Sequence, residues 1–164
     1  MTLHTDQMSD SFRIGAMLAV VGGFLDAYTY LARGQVFANA QTGNIVLLGV
    51  HLSEGDFKKA LSYLVPILAF VAGIFVDEWI KHRLEGKVAL HWRQTVLLIE
   101  ILALIVVIFL PLGKADPLAN ALVSFICSMQ VQSFRKFHGM PYATTMCTGN
   151  LRSGTDHLVK YFQT

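Results

Sequence analysis

The sequence predicts an all-α fold: a polytopic membrane helix bundle of two inverted-topology repeats, each with a broken or re-entrant short helix after a spanning helix. Three observations predict it. Hydrophobic residues make up 54% of the 164-residue chain and charged residues only 15%, against the roughly 25% charged residues of soluble proteins. The few charges are segregated, leaving long apolar runs between them. The triplet Thr-Gly-Asn occurs twice, at 42–44 and at 148–150, each time after a small and polar stretch. A net charge of +2, with no basic stripe carrying interleaved aromatics, gives no reason to expect nucleic acid as a partner.

The first dozen residues, MTLHTDQMSDSF, are polar and acidic. They lack the basic start and small-residue cleavage site of a secretory signal, so the helix that follows stays as an anchor. Between Arg13 and Arg33 the only charge is Asp26, and between Lys59 and Asp77 there is none. Between Gln94 and Gly113 the only charge is Glu100, and residues 117–134 have none. Runs of about 18–20 apolar residues match the hydrocarbon thickness of a bilayer. Four spanning helices are therefore expected, at 14–32, 60–80, 94–111 and 117–134. A soluble bundle would need polar faces on these segments, and they lack them.

Lys81, Arg83, Lys87 and Arg93 gather in one loop, which places it in the cytoplasm. The loop 112–116 holds one Lys and one Asp and fits the outside, and Arg135 and Lys136 return to the cytoplasm. Counting back, the N-terminus is cytoplasmic; Arg33 then falls outside, a single dissent. Asp116-Pro117 reads as an N-cap followed by Pro at the first helical position. Trp79 and Trp92 flank the cytoplasmic loop at interfacial depth. Cys127 and Cys147 form no CxxC pair or secreted framework, and suggest neither a disulfide nor a zinc site.

The two triplets are offset by 106 residues, an offset that sets Asp26 against Gln132. Each copy reads as a spanning helix, a basic residue with a glycine, a small-polar stretch, the triplet and a short helix. The first long helix runs inside to outside and the second outside to inside, the inverted plan of many secondary transporters. The chain is thus one membrane domain over 1–164, with repeat 1 at about 14–111 and an incomplete repeat 2 at about 117–164. Segments 35–52 and 141–158 each follow a completed crossing, so a half-length helix fits them better than another span. Their unwound stretches, 39–43 and 144–149, must be buried in protein or line a wet cavity. Gly43 and Gly149 would permit the tight turn there.

Candidate solute- or ion-binding residues follow from this pattern: Asp26, Asn39, Gln41, Thr42, Asn44, Gln132, Thr148 and Asn150. Asp26 lies about 18 Å into the first helix, where an ionisable group is costly and faces a bundle interior or cavity. It shares a small-residue face with Gly15, Ala19, Gly22, Gly23 and Tyr30. It reads either as a coupling carboxylate or as an acceptor for the neighbouring turn, and the need to satisfy buried backbone favours the second. Helix capping alone would account equally well for the Thr-Gly-Asn turns. On the fourth helix Asn120, Ser124, Ser128, Gln130 and Gln132 read as interhelical glue. Glu100 reads as a helix-end acid snorkelling toward Arg93 or Lys87, and Asp77 as another helix-end pairing. No nucleophile elbow, HExxH or Walker loop occurs, and His138 and His157 have no metal-ligand spacing, so neither an enzyme, a metal nor a cofactor is expected.

The stretch GGFLDAYTYLARGQVFANAQTGNIVLLG resembles the N-terminal signature of the bacterial YoaK family of inner-membrane proteins. CSMQVQSFRKFHGMPYATTMCTGNLRSGTDHL is similar to its second signature, a Gln-containing helix followed by a Thr-Gly turn. The resemblance covers nearly the whole chain. It implies a polytopic, six-helix protein of the bacterial inner membrane with no established substrate, and a natural length past 200 residues with two more helices after the second signature. The functional expectation is a small-solute transporter or permease; the alternative is a non-transporting scaffold or partner subunit with a structural polar core. The expected partners are membrane lipid, a small-molecule or ion substrate and a second copy of the chain.

Overall fold

The computed structural model describes residues 12–84, 92–134, 136–137, 140–141 and 147–163. In chain order these form α1 (Phe12–Ala32), α2 (Gln41–Ser53), α3 (Phe57–Leu84), α4 (Trp92–Phe109) and α5 (Asp116–Ser133). A two-residue pairing follows, β1 (Lys136–Phe137) antiparallel to β2 (Met140–Pro141), with Phe137 opposite Met140, and then α6 (Cys147–Gln163). The first eleven residues, most of the basic loop (85–91), Arg135, His138 and the stretch 142–146 ahead of the second triplet lie outside the described residues.

The apolar runs become helices close to the expected positions. Three of them, α1, α3 and α4, are long and apolar enough to cross a membrane. The fourth expected span, α5, has the 18-residue length of α4 but is not among those three. Its Asn, Ser and Gln residues lower its hydropathy.

Contacts show which helix ends lie together. At one end Arg33, just past α1, bonds to Pro111 and Asp116, and the Lys59 ammonium bonds to the Gly34 carbonyl. At the other, Arg93 Nε donates to the Ser133 carbonyl and the Lys81 ammonium sits over the Trp92 ring. Thus α1 ends and α5 begins at the same end, and the two run antiparallel.

Helix α1 stops because Gly34 (φ 86) and Gln35 (φ 63) enter the left-handed region, and the Gln35 amide closes back on the Tyr30 carbonyl at 3.1 Å, a Schellman-type end. The chain then runs back beside α1. Asn39 donates its backbone N–H to Asp26 Oδ1 at 2.7 Å and its side-chain amide to the Gly22 carbonyl, two to three turns, or about 10–16 Å, from Arg33. From that depth the 13 residues of α2, about 20 Å of helix, return to the first end and turn into α3 through positive-φ Gly55. A half-length helix therefore stands where the sequence predicts one.

The triplet is not the unwound element, however. Thr42, Gly43 and Asn44 are already the first turn of α2, and the second triplet is the first turn of α6; the irregular stretch of the first copy is 35–40. Gly43 is needed for room: a Cβ there would lie 2.9 Å from Phe37 Cδ2. The ring it abuts is stacked on Tyr30, with centroids 4.7 Å apart. Asp116 is likewise the first residue of α5, with Ala115 as its N-cap.

Two apolar clusters hold the bundle. Leu25, Ala38, Val107, Ala119, Val123 and Cys127 form one; Ile80, Trp92, Val96 and Met129 form the other. The most extensive helix contact is α3 on α5, and at Gly73 it leaves no room for a Cβ, which would run into Ser128 Oγ and the Phe125 carbonyl. Large apolar side chains such as Phe24, Leu31, Phe75, Ile108 and Phe109 face outward while Asn44, Asp77, Ser124 and Ser128 are fully buried. That reverses the pattern of a water-soluble surface and is the pattern of a protein that lipid surrounds.

Candidate polar sites in the bundle

Three polar constellations lie inside the bundle. The first is the turn beside Asp26. This half-buried carboxylate accepts the Asn39 backbone N–H, and the amides of Ala38 and Ala40 also point to it. Asn44, fully buried, straddles the same stretch: its Oδ1 accepts the Phe37 N–H at 3.0 Å and its Nδ2 donates to the Phe37 carbonyl at 2.8 Å. Nδ2 also donates to Gln41 Oε1, while Gln41 Nε2 donates to the Ala38 carbonyl. Backbone that has left the helix at membrane depth is thereby given partners by side chains, as the absence of water in lipid requires.

The second is Arg33. Its guanidinium donates to Tyr28 Oη (2.7 Å), the carbonyls of Leu110 (2.9 Å), Pro111 (3.0 Å) and Val107 (3.4 Å), and Asp116 Oδ1 (3.1 Å). Those carbonyls belong to the last turn of α4 and the two residues that follow it, and Asp116 starts α5, so one side chain ties α1 to the α4–α5 turn. Burial works against its charge, but the bonds to Tyr28 and Asp116 outweigh it and raise the guanidinium pKa further. Arg33 thus dissents from the charge topology because its charge is enclosed in a protein clamp. Beside it opens a cleft of about 310 Å³ whose rim carries Asp56, Lys58 and Lys59 and whose buried residues include Val36 and Asn120. Asn120 donates Nδ2 to the Arg33 carbonyl at 2.7 Å and keeps Oδ1 buried without a partner.

The third constellation follows α5 away from that cleft. Ser124 Oγ, one turn beyond Asn120, is buried and unpartnered. Cys127 lies beside the Asn39 amide, within electrostatic reach of Glu100 and Asp26. Gln130 Nε2 donates to Glu100 Oε1 at 2.8 Å, and Ser133 Oγ donates to Asp77 Oδ1 at 2.5 Å. The remaining oxygens of these groups, Glu100 Oε2, Gln130 Oε1 and Asp77 Oδ2, are buried without partners among the described residues, as is Asn39 Oδ1.

Of the sequence-predicted site residues, the structure brings together Asp26, Asn39, Gln41 and Asn44. Thr42 is exposed on the outer side of the same helical turn. Gln132 is at the far end of α5, where its amide bonds to Glu78, away from Asp26. Thr148 is exposed and Asn150 half-buried at the start of α6, a helix that among the described residues makes no extended contact with α1–α5. The small-residue face drawn through Gly23 and Tyr30 is corrected: both are exposed, and the buried stripe of α1 is Gly22, Leu25, Thr29 and on to Arg33.

Glu100 and Asp77 are corrected too. Neither is a helix-end acid: Glu100 is 5% exposed and Asp77 0%, and both turn inward to α5. The four-residue spacing of Trp92, Val96 and Glu100, all buried on one face, is the signal that would have found Glu100. Among the described residues, no group of three or more His, Cys, Asp or Glu could hold a metal ion.

Comparison with known proteins agrees with a membrane assignment. The family described as "Protein of unknown function (DUF1275)" matches over residues 14–164. A curated relative, the UPF0700 transmembrane protein YoaK of Bacillus subtilis (strain 168), is 26% identical over 144 residues, 84% of this chain and 63% of the relative. The chain therefore spans a little under two thirds of that relative's length. No solved structure gives a significant match.

Proposed function

Because this chain is a membrane protein of the YoaK/DUF1275 family, we propose that it is a multi-pass inner-membrane permease for a small polar solute, without enzymatic chemistry of its own. The observation that carries this reading is the line of buried oxygens along α5 that have no partner among the described residues: Asn120 Oδ1, Ser124 Oγ and Gln130 Oε1, joined by Asn39 Oδ1, Glu100 Oε2 and Asp77 Oδ2 from the elements around it. Native proteins leave few such atoms, and polar or ionisable groups inside a membrane bundle mark solute and ion paths. The line starts at the cleft under Arg33 and reaches the opposite end of the bundle at Asp77. Its atoms are acceptors, apart from the Ser124 hydroxyl, which can also donate. The solute they suit carries hydrogen-bond donors or positive charge.

The inverted-repeat plan belongs to the same proposal. It is supported by the antiparallel course of α1 and α5 and by the position of both triplets in the first turn of the helix that follows. The orientation with a cytoplasmic N-terminus rests on the basic cluster from Lys81 to Arg93. Within this reading Asp26 belongs to the frame, since its carboxylate serves the backbone at 38–40, and the path runs through α5.

Cysteine accessibility separates a permease from a scaffold. In a cysteine-free background, Ser124→Cys and Asn120→Cys should react in native membranes with a small, water-soluble methanethiosulfonate, while Ile108→Cys, on the lipid-facing side of α4, should not. A folded protein in which neither α5 position reacts would have a dry polar seam, and the scaffold reading would replace this one.

A further inference from the structure

The contact between Glu100 and Gln130 holds one hydrogen bond where its two end groups have the atoms for two. Gln130 Nε2 donates to Glu100 Oε1 at 2.8 Å. The other oxygen of each group, Glu100 Oε2 and Gln130 Oε1, is buried and unpartnered. Both are acceptors when Glu100 is ionised, so they cannot bond to each other. One proton on Glu100 Oε2 changes that: the carboxylic O–H becomes a donor for Gln130 Oε1, and the pair closes as a cyclic acid–amide dimer. A single O–H bond thereby satisfies two of the orphaned atoms.

The surroundings demand neutralisation of the same group. Glu100 is 5% exposed and Gln130 1%, at mid-length of α4 between Val96 of one apolar cluster and Val107 of the other. Among the described residues no ion pair reaches Glu100. The ionisable group that interacts with it, among the described residues, is the Cys127 thiol on α5, which also feels Asp26 of α1. On α3, Asp77 is bonded to Ser133 three residues farther along α5, and Lys81 lies beyond it over Trp92. A buried carboxylate with no cation against it is strongly destabilising.

We propose that Glu100 and Gln130 form a proton-binding site, with Glu100 Oε2 carrying the proton and Gln130 Oε1 accepting from it. The proton arrives from water along the polar line of α5 and leaves by the same route; no other bond changes. That this proton couples to solute movement rests on the permease reading, whereas the protonation itself does not.

Infrared difference spectra of the full chain in lipid, between mildly acidic and mildly alkaline buffer, test it. A carboxylic C=O band that shifts in D2O should grow on the acid side and be lost in Glu100→Gln, a change that preserves the pairing as amide with amide. Asp77→Asn and Asp26→Asn should leave the band in place. Gln130→Leu should keep it but move it to higher frequency, because the C=O loses its hydrogen bond from Nε2. A spectrum in which Glu100→Gln removes no pH-dependent acid band overturns the proposal. Should that variant not fold, a Gln130→Leu spectrum with every acid band unmoved overturns it equally. Unreactive thiols at both Ser124→Cys and Asn120→Cys with the band intact count against the permease alone.

Discussion

Replacing Gly73 by alanine adds one methyl group where α3 packs against α5 without room for a side chain. The new Cβ would lie 2.0 Å from Ser128 Oγ and 2.3 Å from the Phe125 carbonyl oxygen, where ordinary contact begins at 3.4 Å. Ser128 can rotate away, although it gives up its bond to that carbonyl, now 2.7 Å. The carbonyl is fixed in the α5 backbone, so the helices must separate by about 1 Å, and the loosened contact is the largest in the bundle. Overpacking of this kind costs about 1–3 kcal/mol, roughly a 5- to 150-fold shift of the unfolding equilibrium. The measurement is an SDS titration in mixed micelles followed by the fluorescence of Trp79 and Trp92. Gly23→Ala is the control, since a Cβ there meets nothing within 4 Å, and it should leave the midpoint in place. Adding Ser128→Gly to Gly73→Ala removes one of the two collisions and should recover part of the loss. If Gly73→Ala unfolds at the parent midpoint, α5 does not press on α3 at Gly73.

Arg33→Met removes the donor of the Leu110 and Pro111 carbonyls and the charge partner of Asp116, which among the described residues keeps only the Gly113 N–H. Breaking a largely buried pair costs about 3–5 kcal/mol. Arg33→Lys should recover only part, because one ammonium cannot reproduce the guanidinium fork; thermal unfolding in detergent reads both, and a parent-like Arg33→Met would remove the clamp from the fold. At Asp26, Asn retains an oxygen for the Asn39 amide whereas Leu does not, so Asp26→Leu should cost about 1–3 kcal/mol and Asp26→Asn clearly less. Equal stability of all three proteins in the same titration would show that the carboxylate does not hold the turn.

What the sequence reveals and what it hides divide along one physical line. Segregated charges mark α1, α3 and α4, because a helix that faces lipid must be apolar over its full length, and composition reports that directly. Asp26 with Asn39, Gln41 and Asn44 is also legible, since all four fall within 19 residues and each is a polar exception in an apolar run. Glu100 and Asp77 are hidden for the opposite reason. Their partners, Gln130 and Ser133, lie 30 and 56 residues away in sequence, and distance from a helix end does not tell which way a side chain turns. Arg33 misleads a count of loop charges because its donors are taken up by Tyr28, Asp116 and the α4 carbonyls. A charge held in that way has no reason to obey a rule about loops left in water.

Helix α5 carries the same reasoning furthest. By composition it is the weakest of the four expected spans, yet it is the helix that α3, α4 and α1 all contact. From Ala119 to Phe134 every residue is buried or half-buried, so lipid meets little of it beyond Leu118 at its start. A helix screened from lipid gains nothing from apolar side chains beyond packing, and small or polar residues let its neighbours approach and bond to it. Gly73 against Ser128, Asn120 against Arg33, Gln130 against Glu100 and Ser133 against Asp77 are four such approaches on one helix. Low hydropathy at this point in the chain is therefore the mark of a central position, and the polar groups that lower it are those that line the proposed path.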